Sequence, residues 1–253
     1  MRIAHPDHVF LHAMFLTVYV AVISQVLGVL LGLVAALMRM SKLAPLRWLS
    51  GLYVWIFRGT PLLVQIFFVY YGSNLLLGFT LIPNTLNAGF FKLDSAIVAG
   101  ILALGVNEGA YMREIVRAGI DSIDRGQMEA AKSLGMRYGL AMRRIVLPQA
   151  ARVIVPPLGN EFNNMIKNTS LLFTIGVLDM FGLANILYSQ DFQPVEEFGA
   201  IALWYLVLTT VWTFIQAWIE RKLAVSERAD EVGFFERLTL PTFPSWRPTP
   251  WNR

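Results

Sequence analysis

The 253-residue chain is 56% hydrophobic and only 15% charged, and its mean hydropathy is +0.54. This balance excludes a disordered chain and does not fit a soluble globular protein, because both carry more charge and less apolar surface. The absence of cysteine excludes a disulfide scaffold, thiol catalysis and thiolate-bound metal clusters. The composition therefore indicates a protein whose solvent is the lipid bilayer.

Five apolar stretches are long enough to cross a bilayer, which takes ~20 residues of helix. They cover residues 10–37, 49–77, 95–116, 150–177 and 198–219. The alternating pattern of a β-barrel is absent, so we predict an all-α, polytopic membrane protein with five transmembrane helices in a domain at residues 9–222. The first stretch is too long for a signal peptide and is interpreted as an uncleaved helix.

The basic residues fall on one side of these five spans. Seventeen Lys and Arg residues lie in the segments 39–47 and 113–152 and in the tail from residue 221, whereas the opposite side holds Arg2 and Lys92. The positive-inside rule then places the N-terminus outside and the C-terminus, with a tail at residues 223–253, in the cytoplasm. Membrane topology thus accounts for the net charge of +4 without a nucleic-acid partner.

The cytoplasmic segment at residues 119–148 has a more regular pattern than a simple connector. Asp124, with Gln127 three residues later, predicts a capped helix start, and Gly135 predicts its left-handed end. A second helix is expected to end before Pro148. Two helices that meet at a glycine would form a rigid knob, able to transmit a push from a soluble partner into the membrane.

This knob contains a spaced pattern of seven residues: Glu129, Ala130, Ala131, Gly135, Ile145, Leu147 and Pro148. The pattern resembles the EAA loop of the permease subunits of binding-protein-dependent ABC importers. The segments 58–65, 111–120 and 167–171 narrow the resemblance to the polar amino acid branch, which includes histidine, glutamine and arginine permeases. It covers about residues 17–222, and it departs at Ala118, where glycine is usual, and at Asn168, where aspartate is usual.

The resemblance implies a transmembrane subunit of an ATP-driven amino acid importer in the bacterial inner membrane. Its implied partners are a second permease subunit, a cytoplasmic ABC ATPase dimer docked on the seven loop residues, and an extracytoplasmic substrate-binding protein. The chain has no phosphate-binding loop, so we expect no catalytic residue here, and ATP and Mg²⁺ would be bound by the ATPase. Glu129 could instead be a solvated acid on the helix surface.

Polar residues inside the predicted spans are candidates for a substrate pathway, because such residues usually face a cavity or each other. Glu161 is expected near the middle of the bilayer, and a hydrogen-bond network that only supports the fold is the alternative. Arg58, near the predicted cytoplasmic end of its span, could simply extend to the membrane surface, and Pro61 is expected to bend that span. The pathway candidates are Gln65, Glu108, Asn160, Glu161, Asn164, Lys167, Thr169 and Ser170.

Other functions remain open at this point. A self-contained proton-coupled carrier or channel could use Glu108, Glu161 and Lys167 as a relay, and a membrane enzyme ranks lower because no set of catalytic groups is visible. His8 and His12 share a helix face without a cluster of acids, so no metal site is expected.

Overall fold

The computed structural model describes residues 8–72, 85–88 and 91–238, apart from the side chains of residues 85–93 and 224–238. The predicted end of the second span, at residues 73–77, and residues 239–253 of the predicted tail lie outside this part of the chain. All statements below refer to the described residues.

The structure is predominantly helical. Its elements are α1 (His8–Met40), α2 (Ala44–Gly59), α3 (Leu62–Phe67), β1 (Thr85–Ala88), β2 (Phe91–Asp94), α4 (Ser95–Asp121), α5 (Arg125–Ser133), α6 (Tyr138–Ala141), α7 (Leu147–Asn168), α8 (Met180–Asp191) and α9 (Pro194–Leu238). By length and hydropathy, α1, α4 and α9 could each cross a membrane, and the described part has up to five spans if two bent helix pairs each count as one. The prediction of a helical membrane protein is confirmed.

Small residues determine how closely α1 and α4 approach each other. This is the most extensive helix contact in the described part. A Cβ atom on Gly32 of α1 would lie 2.3 Å from the Cβ atom of Met112, and one on Gly28 would lie 2.5 Å from the Cγ atom of Glu108. A Cβ atom on Gly105 of α4 would lie 2.6 Å from Leu27 of α1, and one on Gly109 would lie 2.9 Å from Leu31. Glycine at these positions lets the two helix backbones approach closely.

The largest group of buried apolar side chains lies between α1, α3, α4 and α7. Ile66 of α3, Leu104 of α4 and Leu172 after α7 are fully buried there. A second cluster joins the start of α1 to α8 and α9 through Phe10, Met180 and Ile201. Together the two clusters position the polar residues of α4 and α7 considered below.

The second predicted span is broken. α2 ends at Gly59 and α3 begins at Leu62. The direction of the helix axis bends by 106° between them. The reason is local, because Pro61 has no amide hydrogen to continue the ladder and its ring excludes a helical turn before it. The expected bend at Pro61 is confirmed. A single π-helical turn, Phe68–Gly72, extends α3.

Two elements differ from the sequence prediction. An antiparallel hairpin pairs Thr85 with Asp94 and Ala88 with Phe91, and the prediction of an all-α chain missed it because two four-residue strands give no usable periodicity. The last predicted span ends at residue 219, but α9 continues into the predicted tail as far as Leu238. The first proline of the tail is Pro241, so nothing interrupts the helix earlier.

Candidate coupling loop and polar membrane residues

The first helix of the cytoplasmic segment has the predicted start. Asp124 is its N-cap and accepts a hydrogen bond of 2.6 Å from the backbone amide of Gly126. The backbone amide of Gln127 donates to the carbonyl of Asp124 at 3.0 Å. Asp124 thus provides acceptors for two amides that the first turn of a helix leaves without intrahelical partners.

The end of the same helix is a Schellman motif. Gly135 has φ +77°, its amide donates to the carbonyl of Lys132 at 2.9 Å, and the amide of Met136 donates to that of Ala131 at 3.1 Å. This bond pair with a left-handed glycine defines the motif. The predicted left-handed stop at Gly135 is confirmed.

The second helix of the knob does not end before Pro148, so that prediction is wrong. A π-helical turn, Met142–Val146, joins α6 to α7, and the path from Tyr138 to Ile175 is one helix. The amide of Leu147 donates to the carbonyl of Met142, five residues earlier. Pro148 lacks an amide hydrogen, but it lies in the first turn of α7, where the missing donor is tolerated.

The seven predicted coupling residues divide by exposure. Ala131 is 1% exposed and lies on α5, which packs against α6, so its methyl group is enclosed within the knob. Ile145 is half-buried, and the other five are exposed: Glu129, Ala130, Gly135, Leu147 and Pro148. Leu134, next to the turn, is 83% exposed. The knob therefore presents a carboxylate and apolar side chains to a partner.

α7 has one polar face and one buried face. Asn160, Asn164 and Lys167 are exposed at spacings of four and three residues, and Glu161 is half-buried next to them. Phe162 and Met165 point the other way, into the core. An exposed row of amides and charges on a helix of this kind is costly against lipid, so it requires water or a protein partner.

Glu108 lies inside the helix bundle. Its side chain is 4% exposed and accepts a hydrogen bond of 3.1 Å from Nε2 of Gln25 on α1. Glu161 lies on α7, which packs against α4. These two predicted pathway residues are therefore on neighbouring helices.

Gln65 is enclosed in the break between α2 and α3. Its Nε2 atom lies 2.9 Å from the carbonyl oxygen of Phe57 and 3.1 Å from that of Thr60. Asn107 of α4 donates to the same Phe57 carbonyl at 3.0 Å and to Oε1 of Gln65 at 2.9 Å. The two amides supply donors to carbonyls at the broken helix end.

Lys167 lies in the last turn of α7, and Thr169 and Ser170 directly follow that helix. Thr169 is fully buried and donates to the carbonyl of Ile166 at 2.8 Å. Ser170 and Lys167 line a crevice between α7, α8 and α9 with a volume of about 240 Å³. Lys167 and Ser170 therefore face a crevice that neither Glu108 nor Glu161 lines.

Several buried polar residues were missed by the sequence analysis. Asp179, 1% exposed, caps α8 by accepting from the amide of Gly182 at 2.9 Å, and it also accepts from the hydroxyl of Tyr205 at 3.2 Å. The Asp-x-x-Gly spacing before an apolar run was its available signal. Asn107 had no comparable signal, because its partners lie about 40 to 50 residues earlier in the chain.

Two arginines are placed differently from the sequence interpretation. Arg113, counted among the cytoplasmic basic residues, is 5% exposed; it donates to the hydroxyl of Ser50 at 3.2 Å and pairs with Glu114. Arg58 lies over the ring of Tyr111, 5.1 Å from its centroid. Arg58 is exposed and Tyr111 is half-buried, so this cation–π contact joins the end of α2 to α4 at the surface of the described part.

Comparison with known proteins assigns this architecture to one group. The model of the family described as binding-protein-dependent transport system inner membrane component matches residues 28–225. A solved structure of an amino acid ABC transporter with histidines is similar at a TM-score of 0.75 and 37% identity, over 85% of this chain and 94% of that one.

Two relatives extend the comparison. The arginine transport system permease protein ArgU of Corynebacterium glutamicum is 42% identical over 81% of this chain, which spans 65% of ArgU's length. The probable amino-acid permease protein YxeN of Bacillus subtilis is 37% identical over 85% of this chain and 91% of its own length. The family match at residues 28–225 includes the polar face of α7 and the knob.

Proposed function

The chain belongs to the family of binding-protein-dependent transport system inner membrane components, and on that premise we propose that it is the transmembrane subunit of an ATP-driven amino acid importer. The names of its relatives support amino acids as the substrate class. The resemblance stated from the residues is thereby confirmed, and the self-contained carrier or channel is not favoured.

The observation that carries the coupling part of this proposal is the connection of the knob to the membrane. α5 is fixed by its cap and its Schellman motif, and α6 continues without interruption into α7. An ATPase that contacts Glu129, Ala130 and Leu134 would therefore push on a helix that crosses the bilayer. The carboxylate of Glu129 is available to a basic group of such a partner.

The proposed substrate pathway follows the polar face of α7. Asn160, Glu161 and Asn164 form its centre, with Glu108 of the neighbouring helix α4 as a second carboxylate. In a dimer with a second permease subunit, this face would lie at the subunit contact, where water can enter. Gln65 and Thr169 have a structural role in this proposal, because the amide of Gln65 and the hydroxyl of Thr169 donate hydrogen bonds to backbone carbonyls within the bundle.

The proposed topology has five spans with the N-terminus outside and the C-terminus in the cytoplasm. Residues 9–222 form the permease domain, residues 119–148 the coupling loop, and residues 223–253 the cytoplasmic tail. The bent pair of α2 and α3, and the bent pair of the Tyr138–Ile175 helix with α8, each count as one span. ATP and Mg²⁺ would be bound by the partner ATPase, and an extracytoplasmic binding protein would deliver the amino acid.

Reconstitution tests the proposal. The chain is placed in liposomes with a candidate ATPase and binding protein encoded beside it, and uptake of labelled amino acids is followed with and without internal ATP. We expect uptake only when all components and ATP are present. Uptake by the chain alone, driven by a proton gradient, would instead establish the carrier function.

A further inference from the structure

The crevice between α7, α8 and α9 lies beside the end of the polar face of α7, and the two share Lys167. Its lining residues are Lys167, Ser170, Phe181, Phe198, Ile201, Ala202 and Tyr205. At about 240 Å³ it is smaller than the pockets that enclose whole small molecules, which are roughly 300–1,000 Å³. The crevice is therefore suited to one part of a larger molecule.

The polar groups of the lining are mostly engaged. The hydroxyl of Ser170 donates to the carbonyl of Lys167 at 2.7 Å, and the hydroxyl of Tyr205 donates to Asp179. Within the described residues, the ammonium of Lys167 has no carboxylate in salt-bridge range. The crevice thus offers one cation above an aromatic and aliphatic wall, which matches an amphiphile with an anionic head.

The position of the crevice indicates the source of that amphiphile. Lys167 follows Glu161, which is expected near the middle of the bilayer, by six residues, or about 9 Å along the axis of α7. From there the lysine stem can extend the ammonium towards the lipid headgroups. Ala202 is exposed, and next to it Leu203 and Leu206 are 65% and 61% exposed on the apolar surface of α9. The crevice is therefore continuous with the surface that contacts lipid.

We propose that this crevice binds an anionic phospholipid, with the headgroup phosphate at Lys167 and the upper acyl chain against Phe181, Phe198 and Ile201. The bound lipid would fill the space between α7 and α9. Because Tyr205 lines the crevice and also bonds buried Asp179, the lipid would contact the residue that ties α9 to the start of α8.

The test uses the full chain extracted in a mild detergent, mixed with phosphatidylglycerol and examined by native mass spectrometry. We expect Lys167→Gln to weaken phosphatidylglycerol binding roughly tenfold, since a hydrogen bond to a charged group contributes about 1.5–3 kcal/mol. Ala202→Trp, which places an indole at the crevice, should also displace the lipid. Leu203→Trp, on the neighbouring exposed position, is the matched control and should bind lipid normally.

Two outcomes would overturn the proposal. One is equal phosphatidylglycerol retention by the wild-type chain, Lys167→Gln and Ala202→Trp. The other is unchanged lipid retention in Lys167→Gln together with a raised KM for amino acid uptake, which would assign the ammonium to the carboxylate of the cargo. Zwitterionic phosphatidylcholine is the lipid control and should depend less on Lys167. The lipid measurement needs neither ATPase nor binding protein, so it stands apart from the proposed transport function.

Discussion

Asn107 and Gln65 are joined by a hydrogen bond of 2.9 Å, and both side chains also donate to the carbonyl of Phe57. A residue of α4 and a residue of α3 thus donate hydrogen bonds to the backbone carbonyl of Phe57 at the end of α2. Pro61 interrupts the helical backbone hydrogen bonds at this point. Broken helices are tolerated in membranes only where freed backbone groups find such partners.

Replacing Gln65 with leucine should destabilise the protein. The carbonyl of Thr60 would lose its amide donor, and Asn107 would lose its acceptor on Gln65. A buried polar group left unsatisfied costs about 1–3 kcal/mol. We expect a lower melting temperature of the purified chain, measured by tryptophan fluorescence. Gln190→Leu, at an exposed position on α8, is the control, and an equal effect of both changes would contradict the assigned role of Gln65.

The Gly135→Ala and Gly139→Ala variants form a matched pair. Neither added methyl group would meet an atom within 4 Å, but only Gly135 has a positive φ. Placing alanine in the left-handed region costs roughly 1–2 kcal/mol. We therefore expect Gly135→Ala to lower the coupling between ATP hydrolysis and uptake, measured in proteoliposomes, and Gly139→Ala to leave it intact. Equal coupling in both variants would show that the Schellman motif does not matter for transmission.

Close packing of α1 and α4 predicts a strong effect at Gly32. A Cβ atom there would lie 2.3 Å from Met112 Cβ and 2.9 Å from the backbone nitrogen of Arg113, whereas Gly51 has no atom within 4 Å of such a position. Overpacking of this kind costs about 1–3 kcal/mol. Gly32→Ala should reduce the yield of monodisperse protein on size exclusion, and Gly51→Ala should not. Normal yield and melting temperature for Gly32→Ala would mean that the two helices move apart easily.

The polar face of α7 is tested by Glu161→Gln, a nearly isosteric change. If the carboxylate stabilises a cationic group of the cargo in the membrane, its loss should reduce uptake more than about tenfold, because 1.4 kcal/mol corresponds to a factor of ten. Cargo capture by the binding protein and ATPase assembly should stay normal. Asp191→Asn, an exposed carboxylate at the end of α8, is the control. Unchanged uptake in Glu161→Gln would limit Glu161 to a packing role.

The orientation of the chain in the membrane can be tested by labelling single introduced cysteines, because the chain itself has no cysteine. Single cysteines at Ser133 on the knob and Gln190 on α8, both exposed, can be probed in intact cells with a membrane-impermeant maleimide. We expect Gln190→Cys to react from outside and Ser133→Cys to react only after the membrane is opened. The reverse pattern would invert the proposed topology.

The sequence predicted the features that depend on neighbouring residues. The cap at Asp124, the left-handed turn at Gly135 and the bend at Pro61 follow from short-range backbone chemistry. The continuation of α6 into α7 could not be predicted, because a π-helical turn has no recognised residue pattern. The partnership of Asn107 with Gln65 depends on tertiary packing, and it shows that a polar residue at membrane depth can serve the backbone of another helix.

The continuous helical path from Tyr138 to Ile175, which includes a π-helical turn and the interior residues Pro156 and Pro157, could act mechanically as a lever. Trp212 of α9 donates to the carbonyl of Gly159 at 2.8 Å, and its ring meets Phe162 edge-on at 4.3 Å, so the helix is held near its middle. A sideways displacement of the cytoplasmic arm would swing the opposite arm in the reverse direction about this fulcrum. Closure on one side of the bilayer and opening on the other would then be two ends of a single rotation.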